Sequence, residues 1–319
     1  MMRTRTLGRS GISVGEIGLG TWGISGEGYG SSEEITARAT LRAAIDAGGS
    51  FIETADSYRE GEMLSWIGDL RRDVGPEKVF VSVRVGVDRD AKHPVPRKDF
   101  SAAYLTMACE RALKLLGTDA LDALVLHNPS QKTLTRDEAW DALTELKTAG
   151  KVRLIGVSIG SEEVGRAALA RGTDLMVLPY NLFLPSLLHH LSAEISGAGV
   201  GIVARSPLAY GLLADGWSGA RRFADDDHRL YRWTPKDLTQ RMKQRDTLRQ
   251  SMVLPPITSL REAALRYVLA NGLVSVVTPG ARTPDQATEN VRAVEREPML
   301  PESLLGHVGR ILDTAGIER

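Results

Sequence analysis

Four side chains that can move protons or hold charge stand near the ends of short apolar runs in this chain. Glu53, Arg84 and His127 lie at or beside the last positions of three runs, and Tyr58 follows the first of them. A carboxylate, a phenol, a guanidinium and an imidazole brought together would suit proton transfer, because they supply two possible acids, a fixed cation and an orienting donor. Each also has a purely structural interpretation, as part of a Glu–Arg ion pair, a hydrogen-bonded histidine or a packed loop tyrosine.

The runs that carry these residues alternate with longer amphipathic stretches along the chain. Eight strand–helix units recur at a spacing of about 30 residues, the usual length of a βαβ step. Most runs are apolar throughout, which is typical of strands covered on both faces. Strict alternation excludes a sandwich or a helical bundle, and eight regular units fit a closed barrel better than an open sheet. The predicted strands are EIGLGT (16–21), SFIETA (50–55), VFVSVR (79–84), LDALVLH (121–127), VRLIGVS (152–158), DLMVLPY (174–180), VGIVARS (200–206) and LVSVVTP (273–279).

We therefore predict an α/β protein, a (β/α)8 TIM barrel that spans residues 1–319 as one domain. Three additions are expected: an N-terminal β-hairpin (about 3–15), a long insertion after strand seven (about 209–256) and a C-terminal helix (about 302–315). The predicted helix N-caps include Ser32, Ser101, Ser161 and Thr283. In such barrels the C-terminal ends of all strands meet at one mouth, where active sites lie. The four side chains named above should converge there.

The composition narrows the class of protein. The 40 Lys and Arg residues balance 40 Asp and Glu residues, which argues against nucleic acid or acidic lipid as the main partner. No apolar run approaches the roughly 18 residues of a membrane span. A single cysteine, Cys109, excludes an internal disulfide and a metal site with several thiolates. We expect a soluble, cytoplasmic protein that acts on a small molecule and holds no metal, without nucleic-acid or membrane partners.

Two local patterns suggest functions that their context does not support. Residues 18–23 fit G-x-G-x-x-G, but a glycine-rich loop follows them instead of the helix that a dinucleotide-binding fingerprint requires. Residues 221–249 contain nine Lys and Arg against five Asp, yet no ladder of aromatic residues accompanies them as in a single-strand nucleic-acid site. We interpret this basic segment as a solvated lid or helix.

Eight segments, taken in their order and spacing, carry a resemblance to a known family. They are LGRSGISVGEIGLGTWGI, FIETADSYREGE, VFVSVR, DALVLHNPS, KVRLIGVS, ARSPLAYGLL, FADDDHR and TPGARTPDQATEN. On these segments the chain resembles the aldo-keto reductases over nearly its whole length. In that family an Asp, a Tyr, a Lys and a His form the catalytic group, and NADPH lies extended across the barrel mouth. The tyrosine matches Tyr58 and the histidine His127, whereas the aspartate falls on Glu53 and the lysine on Arg84.

The two departures keep the charges of that catalytic group and change its geometry. Arg84 supplies the positive charge that would favour the phenolate of Tyr58, but a guanidinium cannot relay a proton because it does not deprotonate in proteins. Glu53 can pair with Arg84, although glutamate is longer than aspartate by about 1.5 Å, the length of one C–C bond. Misplacing a catalytic group by about 1 Å can lower a rate on the order of 100-fold.

The resemblance also implies a cofactor site. Ser158 matches a serine near the nicotinamide amide, whereas the family's asparagine and glutamine partners fall on Ile159 and Val177. Arg205 stands where a tyrosine often stacks on the nicotinamide, and its planar guanidinium could stack as well. Arg282 lies beside a helix N-terminus, a natural place for the 2′-phosphate of NADPH. The implied cofactor residues are Gly20, Thr21, Trp22, Ser158, Arg205, Ser206, Pro207, Leu208, Gly211, Thr278, Gly280, Arg282, Gln286, Glu289 and Asn290.

Three functions remain open on these residues. The first is an NADPH-dependent oxidoreductase acting on a carbonyl, with Tyr58 as general acid, Arg84 and Glu53 tuning it, and His127 orienting the carbonyl. The second is a lyase, dehydratase or isomerase that uses the same barrel without hydride transfer. The third is a cofactor-binding regulatory protein with little turnover. The substrate depends on the loop 23–31, the segment 85–98 and the insertion 209–256, whose shapes the sequence does not define.

Overall fold

Eight parallel strands form one sheet that closes into a barrel in this computed structural model, which describes residues 2–88, 97–217, 222–295 and 299–319. The described residues contain twelve strands, of which eight form the barrel and four form two short antiparallel pairs. They are β1 (Thr4–Thr6), β2 (Ser13–Gly15), β3 (Leu19–Gly20), β4 (Phe51–Ala55), β5 (Phe80–Val85), β6 (Val87–Asp88), β7 (Arg97–Lys98), β8 (Leu121–Leu126), β9 (Val152–Ser158), β10 (Leu175–Pro179), β11 (Gly201–Arg205) and β12 (Val274–Thr278). The barrel order is β3, β4, β5, β8, β9, β10, β11, β12, and parallel bridges Ile17–Val277 and Gly20–Gly280 join its two edges. The predicted (β/α)8 barrel is confirmed.

Side chains of the barrel strands alternate between the interior and the surrounding helices, because successive residues of a strand point to opposite faces. In the interior the rings of Phe51 and Phe80 stack with centroids 5.1 Å apart. Steps of two residues along the same strands lead from Phe51 to Glu53 and from Phe80 to Arg84. The apolar interior therefore gives way to charged side chains toward the C-terminal mouth. The interior cluster consists of Leu7, Val14, Phe51, Phe80, Ala123, Val125, Leu154, Leu175, Val177, Val203 and Val276.

Helices surround the barrel and enclose a second, larger apolar core against the outer faces of the strands. They are α1 (Glu34–Asp46), α2 (Glu62–Val74), α3 (Ala102–Leu116), α4 (Gln131–Thr135), α5 (Asp137–Thr148), α6 (Glu162–Ala170), α7 (Ser186–His190), α8 (Ser192–Ala198), α9 (Pro235–Met252), α10 (Leu260–Ala270), α11 (Pro284–Arg292), α12 (Glu302–Leu305) and α13 (Val308–Thr314). Side chains that cap helices as predicted are those of Ser101, Ser161 and Thr283. The prediction for Ser32 is wrong: α1 begins at Glu34, and the Ser32 carbonyl belongs to a loop that Arg59 Nη1 holds at 3.1 Å.

The additions to the barrel are close to those predicted. The hairpin β1–β2 pairs antiparallel, and the adjoining Glu16 is buried between Arg3 and Arg5, with N–O distances of 2.5 and 3.1 Å. The insertion after β11 contains the long helix α9. The predicted C-terminal helix is two short helices, α12 and α13, because the chain turns at Gly306–His307.

Two of the segments expected to shape the substrate pocket are described only in part. Residues 89–96 and 218–221 lie outside the described residues. Within the described ranges, no helix is both long enough and apolar enough to pass through a bilayer.

Candidate active site

A cavity of about 470 Å³ opens at the C-terminal mouth of the barrel. Two groups of residues in its wall matter for chemistry. The tetrad region comprises Glu53, Tyr58, Arg84 and His127, and the α11 region comprises residues 278–290, from the end of β12 into α11. Both groups line the same cavity, so one extended ligand can contact them together.

The guanidinium of Arg84 contacts the three other members of the tetrad region. Its Nη2 donates to Tyr58 Oη at 2.6 Å, its Nη1 lies 2.8 Å from His127 Nε2, and its Nε forms an ion pair with Glu53. Arg84 and Glu53 are both buried, so solvent screens this ion pair little. A lysine has a single nitrogen and could not reach these partners from three separate atoms.

The donors and acceptors of this network follow from the chemistry of a guanidinium. Arginine carries only N–H donors, so Tyr58 Oη and His127 Nε2 both act as acceptors toward Arg84. His127 Nε2 therefore holds no proton, and the imidazole is neutral. Tyr58 keeps its own O–H, which can donate to a ligand in the cavity.

Burial controls the protonation state of Tyr58. It raises the pKa of the phenol to about 12, although the charge of Arg84 acts in the opposite direction. Burial lowers the pKa of Arg84, but Glu53 and Tyr58 outweigh this effect, so that pKa lies above its ordinary value. At neutral pH the region holds a neutral phenol beside a permanent cation.

Backbone contacts between neighbouring elements position these side chains. The His127 N–H donates to the Val85 carbonyl at 2.8 Å, which fixes the end of β8 against β5. The Thr21 hydroxyl donates to the Glu53 carbonyl at 3.1 Å. Tyr58 begins a tight 3-10 turn, Tyr58–Gly61, that directs its ring back toward the mouth of the barrel.

A second carboxylate is buried next to the tetrad region. Asp56 is 5% exposed, and its backbone N–H donates to the Arg84 carbonyl at 3.0 Å. The Tyr104 hydroxyl lies 3.4 Å from Asp56 Oδ2 and 3.1 Å from the Val87 carbonyl. Burial raises the pKa of Asp56 to about 7. Because Asp56 is not part of the cavity wall, we expect its effect on stability to exceed its effect on a ligand.

The α11 region presents polar groups suited to a nucleotide. The Arg282 N–H donates to Gln286 Oε1 at 2.9 Å, and its Nη2 donates to the Ser31 carbonyl at 3.1 Å. Asn290 Nδ2 donates to the Gly280 carbonyl at 3.2 Å, which leaves its buried Oδ1 without a hydrogen-bond partner among the described residues. A helix N-terminus attracts anions, and a buried acceptor without a partner favours a ligand that donates a hydrogen bond.

The loop after β11 has an unusual backbone. Ser206, Ala209 and Tyr210 have φ values of 55°, 47° and 61°, and Gly211 has 91°. Left-handed conformations are costly for residues other than glycine and cluster at ligand sites. Asn181 Nδ2 helps to hold this loop by donating to the Ser206 carbonyl at 2.9 Å.

Most of the residues that the sequence assigned to a cofactor line the cavity. These are Gly20, Trp22, Arg205, Ser206, Pro207, Leu208, Gly211, Thr278, Gly280, Arg282, Gln286 and Asn290. Three others lie outside the cavity wall. Thr21 is buried against Glu53, Ser158 is buried, and Glu289 is exposed and pairs with Arg261. Each of the three contacts a residue of the cavity wall: Thr21 contacts Glu53, Ser158 contacts Asn128, and Glu289 pairs with Arg261.

Asn128 is a residue of the cavity wall that sequence reasoning missed. Ser158 Oγ donates to Asn128 Oδ1 at 2.8 Å, which leaves the Asn128 amide hydrogens to donate elsewhere. Its φ of 50° lies in the left-handed region that asparagine tolerates. The signal available in the sequence was its position directly after His127, at the end of a strand. Ile159 and Val177, where the family's amides are absent, are both fully buried.

The remaining wall comes from the loop after β3 and the insertion after β11. Trp22 and Tyr29 meet His228 of the insertion with ring centroids 4.6 and 4.7 Å apart. Arg229 and Arg232 also line the cavity, so the basic segment interpreted as a solvated lid or helix contributes to the cavity wall. The path of an insertion depends on what it packs against, and sequence spacing does not reveal it. Wall residues from the segments expected to shape the substrate pocket are Gly23, Tyr210, Ala214, Asp215 and Trp217, whereas Arg261 and Ala281 were not among the expected site residues.

Comparison with known proteins adds family information to this geometry. Residues 16–304 match the model described as the Aldo/keto reductase family. The chain is 28% identical to a probable voltage-gated potassium channel subunit beta of Oryza sativa subsp. japonica, over 98% of this chain and 97% of the relative. It is also 28% identical to the aldo-keto reductase YhdN of Bacillus subtilis, over 89% of this chain and 86% of the relative. Pyridoxal 4-dehydrogenase of Microbacterium luteolum is 25% identical, over 90% and 91%.

Solved structures agree on the architecture. The holo form of aldo-keto reductase AKR11C1 from Bacillus halodurans superposes with a TM-score of 0.81 at 27% identity, covering 98% of this chain and 96% of that one. The glycerol dehydrogenase AKR11B4 from Gluconobacter oxydans has a TM-score of 0.85 at 24% identity, over 99% and 97%, which is a likeness of fold. These similarities concern the whole barrel and not one of its segments.

Proposed function

The chain belongs to the aldo/keto reductase family, and from this premise we propose that it reduces the carbonyl group of a small aldehyde or ketone with NADPH. The observation that carries the proposal is the set of contacts that Arg84 makes with Tyr58, His127 and Glu53. They rebuild a connected tetrad from two residues that the family does not ordinarily use. Oxidoreductases among the similar proteins support the reaction class.

Tyr58 is the proton donor of the proposed reaction. When bound, NADPH supplies the hydride. Tyr58 Oη already accepts from Arg84, so its O–H points to the carbonyl oxygen and gives up its proton as negative charge develops there. The phenolate left behind is stabilised by Arg84, because opposite unit charges about 4 Å apart attract by roughly 4 kcal/mol at a moderate effective dielectric. Arg84 cannot return the proton, so water that enters the cavity restores the phenol.

His127 acts in this proposal as a positioning residue. Its Nε2 accepts from Arg84 and holds no proton, so in this proposal it does not donate to the carbonyl oxygen. It instead holds the guanidinium in the plane from which Nη2 reaches Tyr58. Glu53 also holds the guanidinium of Arg84 in place, through its ion pair with Nε.

The residues present fit the proposed cofactor. Arg282 and the N-terminus of α11 would hold the 2′-phosphate, and the buried Oδ1 of Asn290 would accept from the adenine amino group. The left-handed loop 206–211 would pack against the pyrophosphate. The amide of Asn128 would replace the amide donors that are missing at positions 159 and 177.

Two measurements test the proposal. The first is titration of the protein with NADPH, followed by its fluorescence, and then mixing with a panel of aldehydes and ketones. We expect binding and turnover. The second compares the native protein with the double variant Glu53→Asp with Arg84→Lys, which carries the family's usual pair. Reductase activity that appears only in the double variant would show that the native site is not a reductase.

The other outcomes favour the alternatives. Binding of NADPH without turnover on any carbonyl compound would favour a regulatory protein, a role suggested by the name of the rice relative. Failure to bind NADPH would favour a lyase, dehydratase or isomerase. The proposal over this last alternative is supported by the α11 region, where a helix N-terminus and the unpartnered Oδ1 of Asn290 would suit a nucleotide.

A further inference from the structure

Arg205, at the end of β11, places a second guanidinium in the cavity wall beside the tetrad region. Unlike Arg84, it forms no ion pair with a carboxylate of the described residues. Its Nη2 lies 3.4 Å from the Ile159 carbonyl, and its buried Nε has no hydrogen-bond partner among those residues. Arg205 is partly buried, and a partly buried cation without an ion pair is costly, so its presence calls for an explanation.

The surroundings of Arg205 add to the positive charge. Burial and then the charge of Arg84 lower the pKa of Arg205. On the other side of the tetrad region, Lys98 Nζ donates to the His127 carbonyl at 2.5 Å. Burial and then Arg84 lower the pKa of Lys98 to about 8. The one carboxylate of the tetrad region, Glu53, is paired with Arg84, and although its charge also acts on Arg205, burial and the charge of Arg84 outweigh it.

This charge has opposite consequences for the two redox forms of a nicotinamide. In the proposed reaction the bound cofactor would supply a hydride to the carbonyl carbon and leave in its oxidised form, and the carbonyl oxygen would take the proton of Tyr58. The reduced ring is neutral, and the oxidised ring carries one positive charge. A fixed cation beside the ring therefore repels the oxidised form and leaves the reduced form unaffected.

We propose that Arg205 makes this site discriminate between the redox forms of the cofactor, so that it binds NADPH at least about tenfold more tightly than NADP⁺. The inference rests on the proposed function, because it requires the nicotinamide ring to lie beside the tetrad region. The preference keeps the protein loaded with reduced cofactor when both forms are present. It also speeds departure of the oxidised product.

Isothermal titration calorimetry of the full-length protein with NADPH and with NADP⁺ tests the proposal without relying on activity. For the native protein we expect a Kd ratio, NADP⁺ over NADPH, of about ten or more. The variant Arg205→Met removes the charge at similar length and should bring this ratio toward one. Arg205→Lys keeps the charge and should keep most of the ratio, which separates charge from stacking.

Arg282→Met is the matched control, since it also removes one arginine charge from the cavity wall. It lies in the α11 region, so it should weaken NADPH and NADP⁺ to the same extent and leave their ratio unchanged. Adenosine 2′,5′-bisphosphate, which has no nicotinamide, should bind native protein and Arg205→Met equally. Equal binding also shows that the Arg205 variant is folded.

The remaining outcomes distinguish failure of the proposed function from failure of the inference about Arg205. If neither NADPH nor NADP⁺ binds the native protein, the proposed function fails and this inference fails with it. If both bind with equal Kd, the proposed function stands and the inference is wrong. A ratio that persists in Arg205→Met, or is lost in Arg205→Lys, would also overturn the role given to the charge of Arg205.

Discussion

The tetrad region and the α11 region line one cavity, yet they are assembled in different ways. The α11 region is a continuous segment, within which the Arg282 N–H donates to Gln286 four residues later, although Arg282 Nη2 also reaches the Ser31 carbonyl. The tetrad region joins side chains from β4, β5, the end of β8 and a turn, which meet because those strands are neighbours. By the family resemblance of the sequence, the residues expected in the α11 region are present, whereas Glu53 and Arg84 stand where an aspartate and a lysine are expected.

The contrast between the two regions indicates how the proposed catalytic group could keep its contacts after Glu53 and Arg84 replaced the expected residues. A lysine replaced alone by arginine would introduce a bulkier, flat group with several donors. Here the partners fit that group: Glu53 meets Nε, His127 meets Nη1 and Tyr58 meets Nη2. Charge is conserved while the hydrogen-bond geometry is new. The predictions below test whether the two regions are as separable as this contrast implies.

The largest effect should come from Tyr58→Phe. The variant lacks the proton donor, so kcat for carbonyl reduction should fall by about 1,000-fold, within the range of general acid catalysis. NADPH affinity should stay the same, because the α11 region is untouched. Stopped-flow or steady-state NADPH oxidation and a fluorescence titration measure the two quantities. Tyr231→Phe, at a residue that is 78% exposed, serves as the control; full activity in Tyr58→Phe would refute the assignment of the donor.

A smaller loss is expected for Arg84→Lys. A single nitrogen cannot keep all three contacts, and a displacement of about 1 Å lowers rates on the order of 100-fold. Adding Glu53→Asp should recover part of that loss, because the shorter carboxylate suits a lysine. Steady-state kcat of the two variants provides the comparison, with Arg42→Lys at an exposed ion pair as the control. An unchanged kcat in Arg84→Lys would mean that its three contacts do not matter for turnover.

Arg282→Met should act on binding and not on chemistry. Loss of a charge-assisted hydrogen bond to the 2′-phosphate should weaken NADPH by about tenfold, the lower end of the usual range for a partly exposed group. NADH, which lacks that phosphate, should bind the variant as it binds native protein. Glu145→Gln, at an exposed residue of α5 outside the cavity wall, should change neither Kd. Equal weakening of NADPH and NADH would place the 2′-phosphate elsewhere.

The smallest effect concerns the buried carboxylate beside the tetrad region. The folded pKa of Asp56, about 7, lies above its unfolded value, so the unfolded state ionises first as pH rises. This group therefore costs stability progressively between about pH 4 and pH 7. Asp56→Asn should stabilise the protein by about 1 kcal/mol above pH 7, since the new amide hydrogens offset part of the gain. Chemical denaturation of the native protein and the variant at pH 8 and pH 4.5 measures the change in the free energy of unfolding. An equal change at both pH values would contradict the raised pKa of Asp56.

Much of the framework follows from the sequence. Apolar runs separated by amphipathic stretches predicted all eight barrel strands, because strands covered on both faces must be apolar wherever they occur. The cap at Thr283 depends on a side chain and a backbone N–H three residues apart. The wrong N-cap prediction for Ser32 shows what the local sequence does not reveal, since the Ser32 carbonyl accepts from Arg59, a residue brought near by the fold.

For the candidate site, too, the sequence predicted one aspect and not another. Its residue types were readable, because Tyr58, His127 and Arg282 stand in motifs whose order and spacing are specific. The hydrogen-bond partners of the site residues could not be predicted from the sequence. That His127 accepts from Arg84, and that Ser158 turns Asn128 into the cavity, depends on distances between side chains of different strands.

What the linear chain determined, then, was the barrel, the convergence of four reactive groups at its mouth and the conservation of charge at Glu53 and Arg84. Periodicity and formal charge are properties of residue types, so they survive without coordinates. Only the tertiary structure decided which atoms of Arg84 meet which partners, that Arg205 forms no ion pair with a carboxylate among the described residues, and that Arg229 and Arg232 line the cavity. Hydrogen bonds and ion pairs depend on angstrom-scale distances, and those arise only when distant segments pack together.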